Sequence, residues 1–346
     1  MSIYAACSLN AFLSCVIVIA LLKKHAERMG LVDVPTGRKL HDGEIPVVGG
    51  IGIFVGFVVS LVMSGDPFGT WNLIAGMSFL LVTGVLDDRH DMRPRVKFTL
   101  QMAASLILVA PGFLVIDHLG ARGSMPLGIC ALPFTLFFTV GLINAFNLMD
   151  GIDGLIGGVA ICAFFWMALF EGLTGHVARM GILLLITSAT TGFLVFNMRL
   201  PWRRRAEVFM GDAGSMMLGA AVAFFSTRIS MQPDGGVPFL ALLWLCAIPA
   251  VDTLSLMARR LSAGRSPFAP DRHHLHHLLL DAGLSPGATA ILLIGLSFAL
   301  GGVGVLSATL SAPPSFHILG LLVVLLIHSG FVQMRKRRRL QVSRAA

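Results

Sequence analysis

The groups able to do chemistry in this chain fall in five short polar segments, each next to an apolar run. Asp87-Asp88-Arg89-His90-Asp91 sets carboxylates side by side. Adjacent carboxylates at a helix end can bind a divalent cation, or one can act as a base with a raised pKa; a solvated helix end carries the same residues. In Asn144-Ala145-Phe146-Asn147-Leu148-Met149-Asp150-Gly151-Ile152-Asp153-Gly154, helical spacing puts Asn144 and Asn147 on one face, with Asp150 continuing it. Hard oxygen donors of this kind suit Mg²⁺, which takes one or two protein carboxylates plus substrate phosphates. A calcium loop is a weaker reading, because its terminal bidentate Glu is missing. Gly211-Asp212-Ala213-Gly214-Ser215 reads as a helix start, where backbone N–H groups favour an anion and Asp212 a cation. Asp271-Arg272-His273-His274-Leu275-His276-His277 is a donor-rich patch suited to pyrophosphate, with a soft-metal site as the alternative. Gly37 to Gly50 supplies Arg38, Lys39 and His41, then a Pro46-Val47-Val48-Gly49-Gly50 stretch that permits close backbone approach.

The elements that must position these segments are membrane helices. Only 13% of the 346 residues are charged and 55% are hydrophobic, where a soluble chain carries roughly 25% charged residues. A soluble enzyme, a disordered chain and a nucleic-acid-binding domain are thereby excluded, despite a pI of about 9.8. Apolar runs near 4–22, 47–64, 71–86, 98–116, 128–147, 155–170, 177–196, 212–230, 237–258, 287–307 and 316–334 predict an all-α polytopic integral membrane protein of about eleven spans. The connections at 23–46, 87–97, 197–211 and 259–286, with the tail 335–346, hold 23 of the 26 Lys and Arg residues. The positive-inside rule then puts the C-terminus in the cytoplasm and the N-terminus outside. The basic tail reads as a topology anchor, with weak attraction to anionic lipid as the other reading. Fourteen of the 18 acids fall on the same cytoplasmic side. One integral membrane domain, 1–346, accounts for the chain.

Some polar residues have blander expectations. Cys7, Cys15, Cys130, Cys162 and Cys246 all lie in apolar stretches and read as small buried hydrophobes. His328 is the main ionisable group at mid-span and reads as hydrogen-bonded structure rather than a proton relay. Asp252, just after Pro249, serves equally as a helix-kink hydrogen bond or a site residue. A divalent-metal transporter would require acids and histidines at mid-depth and an inverted repeat, and the sequence has neither. Acids for a hard metal, cations for phosphate and a lipid-facing surface instead point to phosphoryl transfer between a soluble donor and a membrane-held acceptor.

In order along nearly the whole chain, GRKLHDGEIPVVGG, LDDRHD, NAFNLMDGIDG, FMGDAGS and the HHLHH loop resemble the polyprenyl-phosphate N-acetylhexosamine-1-phosphate transferases, glycosyltransferase family 4. Within that family the chain is most similar to the undecaprenyl-phosphate GlcNAc-1-phosphate transferases of the WecA type. The phospho-MurNAc-pentapeptide transferases carry HHHYE in the last loop, a string absent here. The resemblance implies a UDP-N-acetylhexosamine donor, undecaprenyl phosphate as acceptor, and UMP and a lipid-linked pyrophosphate sugar as products. It also implies a bacterial cytoplasmic membrane location and Mg²⁺ as cofactor, with Mn²⁺ as a substitute; a homodimer is compatible with it. By motif position, Asn147 and Asp212 would hold the metal, and Asp87 and Asp88 would lie near the acceptor phosphate. Asp150 and Asp153 would shape the nucleotide and metal site. Asn144, Arg272, His273, His274, His276 and His277 would contact the donor, and Lys39 and His41 would border the acceptor phosphate. GlcNAc is the expected sugar, with GalNAc, FucNAc, QuiNAc or the pentapeptide-bearing MurNAc as alternatives. Direct attack by the lipid phosphate is the expected mechanism, with a covalent aspartyl-phosphate as runner-up.

Overall fold

The computed structural model describes residues 2–34, 43–65, 70–110, 112, 114–121, 124–200, 203–232, 237–262, 264 and 274–345, with side chains as far as 335. In chain order the helices are α1 (Ser2–Lys23), α2 (Ala26–Met29), α3 (Gly49–Met63), α4 (Trp71–His90), α5 (Pro94–Val109), α6 (Ala131–Met149), α7 (Leu155–Leu173), α8 (Val177–Asn197) and α9 (Gly211–Ser230). They continue with α10 (Phe239–Leu242), α11 (Ala247–Ser262), α12 (Leu275–Leu280), α13 (Pro286–Thr309) and α14 (Pro314–Ala345). A 3-10 turn, Leu243–Cys246, joins α10 to α11, and a two-stranded antiparallel ribbon pairs β1 (Val32–Asp33) with β2 (Ile45–Pro46).

Each of the eleven apolar runs falls on a long helical segment, with α10 and α11 acting as one. The protein is thus an all-α polytopic membrane protein. Seven segments are long and apolar enough to cross a bilayer by length and composition: Ile3–Lys23, Gly128–Met149, Leu155–Leu173, Val177–Asn197, Phe239–Ser262, Pro286–Thr309 and Pro314–Arg335. The other four are shorter or carry charge at the polar end. Helix α3 has 15 residues, α4 finishes on Asp87-Asp88-Arg89-His90, α5 opens with Arg95 and Lys97, and α9 opens with Gly211-Asp212.

Burial separates an inner helix from outer ones. On α9 only Gly211, Asp212 and Arg228 escape full burial, and it packs against α3, α4, α6 and α7. Its Gly- and Ala-rich sequence suits this, because small residues let helix backbones approach where lipid provides no hydrophobic drive between helices. By contrast α1 and α14 expose Leu9, Leu13, Ile17, Leu319, Leu326 and Ile327, the pattern of a lipid-facing surface. Cys7, Cys15, Cys162 and Cys246 are buried as expected, whereas Cys130 is exposed, because it ends a 3-10 turn before α6 instead of lying inside it.

Candidate active site

Four helix ends converge to build the polar site, and backbone geometry explains each. Helix α4 stops at Asp91, which takes a left-handed conformation (φ 49°), and Met92 donates its N–H to Asp87 Oδ1 at 2.7 Å. Pro94 then opens α5, a position where its missing N–H costs nothing. This tight α4–α5 hairpin puts Lys97, in the first turn of α5, opposite the start of α9. Lys97 Nζ lies 2.6 Å from Asp87 Oδ2 and 2.6 Å from Asp212 Oδ2. Asn147, in the last turn of α6, donates to Asp212 Oδ1 at 2.5 Å and to Ser215 Oγ at 3.0 Å. Asp88 accepts the backbone N–H of Asp212 at 2.9 Å and that of Ala213 at 3.4 Å, satisfying donors that a helix start otherwise leaves unpaired.

Glycines of the Gly37–Gly50 and Gly211–Ser215 segments, with Gly84 of α4, make this convergence possible. Gly50 abuts the backbone of Gly214, and a Cβ on it would meet Gly214 N at 2.4 Å. Gly84 of α4 abuts Ala213 in the same way, at 2.2 Å from its Cα. Hydrogen bonds lock the first contact: Phe209 N–H to Pro46 O at 2.8 Å, Gly49 N–H to Phe209 O at 3.0 Å and Gly50 N–H to Met210 O at 3.0 Å. The Pro-to-Gly-Gly stretch is therefore a brace for the Asp212 loop.

Charge accumulates faster than it is neutralised. Asp87, Asp88 and Asp212 gather around Lys97, the one cation they share among the described residues, and Asp150 stands beside Asp88 and Asp212. Burial, and then the neighbouring Asp212, raise Asp87 above the usual carboxylate range, with Lys97 opposing them. Burial followed by the charge of Asp212 pushes Asp88 up to about 7. Asp150, at the C-terminal cap of α6, is raised well above its ordinary value by burial and then by Asp212, Asp88 and Asp153. Burial disfavours the charge on Lys97, but Asp212 and Asp87 outweigh it and raise its pKa. Such an excess of negative charge, with hard oxygens aimed together, fits a divalent cation that brings its remaining ligands as water and substrate phosphate. Among the described residues no three His, Cys, Asp or Glu side chains are grouped so as to hold a metal ion.

The other anticipated residues divide. Asp153 is paired with Arg199 Nε at 2.7 Å and accepts the Ala206 N–H at 3.2 Å, so it ties the 150–154 turn to the following connection. Asn197 does the same from its other side, accepting from Gly154 N–H at 2.6 Å. Asn144 points to Gln101 Oε1 at 2.7 Å rather than to the carboxylates. His276 is 1% exposed, and neither ring nitrogen has a hydrogen-bond partner among the described residues. It rests on Gly151, and burial, then His277 and His274, lower its pKa to about 3, so the ring stays neutral. The rings of His274 and His277 lie 5.7 and 4.2 Å from that of His276. Lys39, His41, Arg272 and His273 lie outside the described residues. Lys97 and Arg199 are the two residues that motif reading passed over. Lys97 is one of four cations in 87–97, on the same side as the paired aspartates, and its spacing does not single it out.

Fold and site together define a multi-pass membrane protein with a carboxylate-and-lysine centre built at one end of its helices. Residues 70–230 match the family model described as Glycosyl transferase family 4. The chain is 32% identical over 328 residues to the undecaprenyl-phosphate alpha-N-acetylglucosaminyl 1-phosphate transferase of Escherichia coli (strain K12), covering 93% of this chain and 89% of that one. The Yersinia pestis protein of the same name is 32% identical over 331 residues, covering 94% and 90% of the two chains. A probable undecaprenyl-phosphate N-acetylglucosaminyl 1-phosphate transferase of Bacillus subtilis is 31% identical over 308 residues, covering 87% and 84%. The chain belongs to glycosyl transferase family 4.

Proposed function

We propose that this protein transfers GlcNAc-1-phosphate from UDP-GlcNAc to undecaprenyl phosphate. UMP leaves, and the product is a lipid-linked pyrophosphate sugar that primes cell-envelope polysaccharide synthesis. The observation that carries this reading is Lys97 bridging Asp87 and Asp212, 2.6 Å from each, beside Asn147 and Asp88. The names of the bacterial relatives supply the substrate class. In this reading the chain crosses the bacterial cytoplasmic membrane eleven times, with its N-terminus outside and the site at the cytoplasmic surface, where both substrates can meet.

An oxygen of the lipid phosphate attacks the sugar-bearing phosphorus of the donor, and the bond from that phosphorus to the oxygen of the UMP phosphate breaks. A phosphate monoester has its second pKa near ~6, so the nucleophile is already mostly ionised at neutral pH and needs no base. Asp87 and Lys97 position the attacking phosphate, and Lys97 offsets charge on the transferred group. Asp212 and Asn147 would hold Mg²⁺, or Mn²⁺ in its place, which when bound neutralises the donor pyrophosphate. Asp150 bounds the site on the donor side, and Asp153 holds the turn that carries it. His274, His276 and His277, with Arg272 and His273, contact the donor, and Lys39 and His41 border the acceptor phosphate. A covalent aspartyl-phosphate is the alternative route, and exchange of labelled UMP into UDP-GlcNAc without acceptor tests for it.

The test is UMP release by purified, detergent-solubilised protein with undecaprenyl phosphate and Mg²⁺, offered UDP-GlcNAc, UDP-GalNAc or UDP-MurNAc-pentapeptide. Release with UDP-GlcNAc, lost on chelation and in Asp212→Ala, is expected. Release only with the pentapeptide donor would move the protein to the cell-wall branch, and no release with any donor would overturn the reading.

A further inference from the structure

Helix α14 exposes most of its apolar length, yet His328 on it is buried, at 7% exposure, with Nε2 3.1 Å from Asp252 Oδ1. Asp252, on α11 and 2% exposed, is a shared acceptor: its Oδ2 is 2.9 Å from His274 Nδ1, and its Oδ1 also takes the Leu275 N–H at 2.9 Å. A second polar contact, Ser255 to Ser329 at 3.2 Å, joins the same two helices. A carboxylate inside an apolar span is costly and marks function more often than adhesion.

What the carboxylate adds is direction. It can only accept, so His274 must donate from Nδ1, which leaves Nε2 as an acceptor for a substrate hydroxyl. The His274 ring is nearly parallel to that of His276, 6° between planes, and His276 rests on Gly151 in the turn between Asn147 and Asp153. An unbroken file of groups thus runs from the outermost helix to the metal and phosphate centre. Both Asp252 and His328 lie beyond the residues matched by the family model.

We infer that Asp252 and His328 are positioning residues for the transferase: Asp252, held from behind by His328, fixes the tautomer and plane of His274 so that its Nε2 accepts from a hydroxyl of the nucleotide-sugar donor. The inference rests on the proposed reaction. The arrangement resembles a carboxylate orienting a ligating histidine, where loss of the outer partner costs about 10- to 100-fold.

A double-mutant cycle tests it. His328→Leu is expected to lower kcat/KM for UDP-GlcNAc by about 10- to 100-fold, with the KM for undecaprenyl phosphate unchanged. His328→Gln, whose amide can donate from near the Nε2 position, should recover most of the loss. In a His274→Ala background His328→Leu should cost nothing further. Multiplying effects, or a fall in kcat with both KM values unchanged, would overturn the inference, since either marks a merely structural role. A second measurement needs no turnover: carbethoxylation of His274 by diethyl pyrocarbonate, read by peptide mass spectrometry. Protection in the wild type and in His328→Gln, lost in His328→Leu and Asp252→Asn, is expected. Equal labelling in all four proteins would overturn the positioning role. An inactive wild type that still shows this pattern would remove the transferase reading and keep the His274 alignment.

Discussion

Asp88 Oδ1 accepts the backbone N–H of Asp212 at 2.9 Å, across 124 positions of sequence. A residue of α4 therefore caps α9, and the two adjacent aspartates have different work: Asp87 faces Lys97, while Asp88 holds the helix start that carries Asp212. Loss of such a cap costs about 0.5–2 kcal/mol. Asp88→Ala is expected to lower the thermal midpoint measurably at neutral pH, and Asp88→Asn, which keeps an acceptor oxygen, to lower it far less. Equal losses in a melting experiment would refute the capping role.

Lys97 is the sole cation between Asp87 and Asp212 in the described centre. Lys97→Met should reduce kcat for UMP release by about 10²- to 10³-fold, the size of a lost electrostatic contact to a developing charge. Lys97→Arg should not restore it, because a planar fork cannot replace a point charge seated between two single oxygens. Wild-type turnover in either variant would show that the bridge is incidental.

The crowded carboxylates also set a pH dependence. Burial raises Asp87, Asp88 and Asp150 in the folded protein, Asp88 to about 7, while an unfolded Asp titrates near ~3.9. Between those values the folded state binds more protons, so stability falls as pH rises, and levels off above 7. His276, with its pKa lowered to about 3 by burial, works the other way below about 6.5, so the comparison is internal: in chelator, from pH 5 to pH 7, the wild type should lose melting temperature relative to Asp88→Asn. Added Mg²⁺ should raise it more at pH 8 than at pH 5, because metal and protons compete. A wild type that gains on Asp88→Asn over that interval would contradict the charge excess.

The close approach of α4 to α9 leaves no room for a methyl group. Gly84→Ala puts a Cβ 2.2 Å from the Ala213 Cα, a backbone atom that cannot swing away. Overpacking of this kind costs about 1–3 kcal/mol, and here it displaces Asp212 directly. Activity should fall by more than tenfold in protein that still elutes as a folded species; full activity would mean that the helix start tolerates the shift.

Hydropathy made the helices legible, because each long apolar run had to become a helix whatever its partners. The motifs singled out Asp87, Asp88, Asn147 and Asp212, and the structure brings these four together. Lys97 was hidden because nothing local marks it. Only the Asp91 turn and Pro94 aim it at a helix more than a hundred residues later. Asn144 was misplaced by the opposite fault. Helical spacing does set it on the face of Asn147, one turn away, but that turn reaches α5, where Gln101 takes its amide. His328 was read as hydrogen-bonded structure, and it is bonded; its partner Asp252 was the residue left between a kink and a site role.

The enclosure of α9 bears on how the protein is made. This helix carries Asp212 at one end and Arg228 at the other and falls short of the composition that crosses a bilayer by itself. It can settle only into a slot already lined by α3, α4, α6 and α7, all of which leave the ribosome earlier. Asp212 therefore meets Lys97 late in biogenesis. A nascent chain halted before Gly211 holds Asp87, Asp88 and Lys97 without the carboxylate and helix start they converge on.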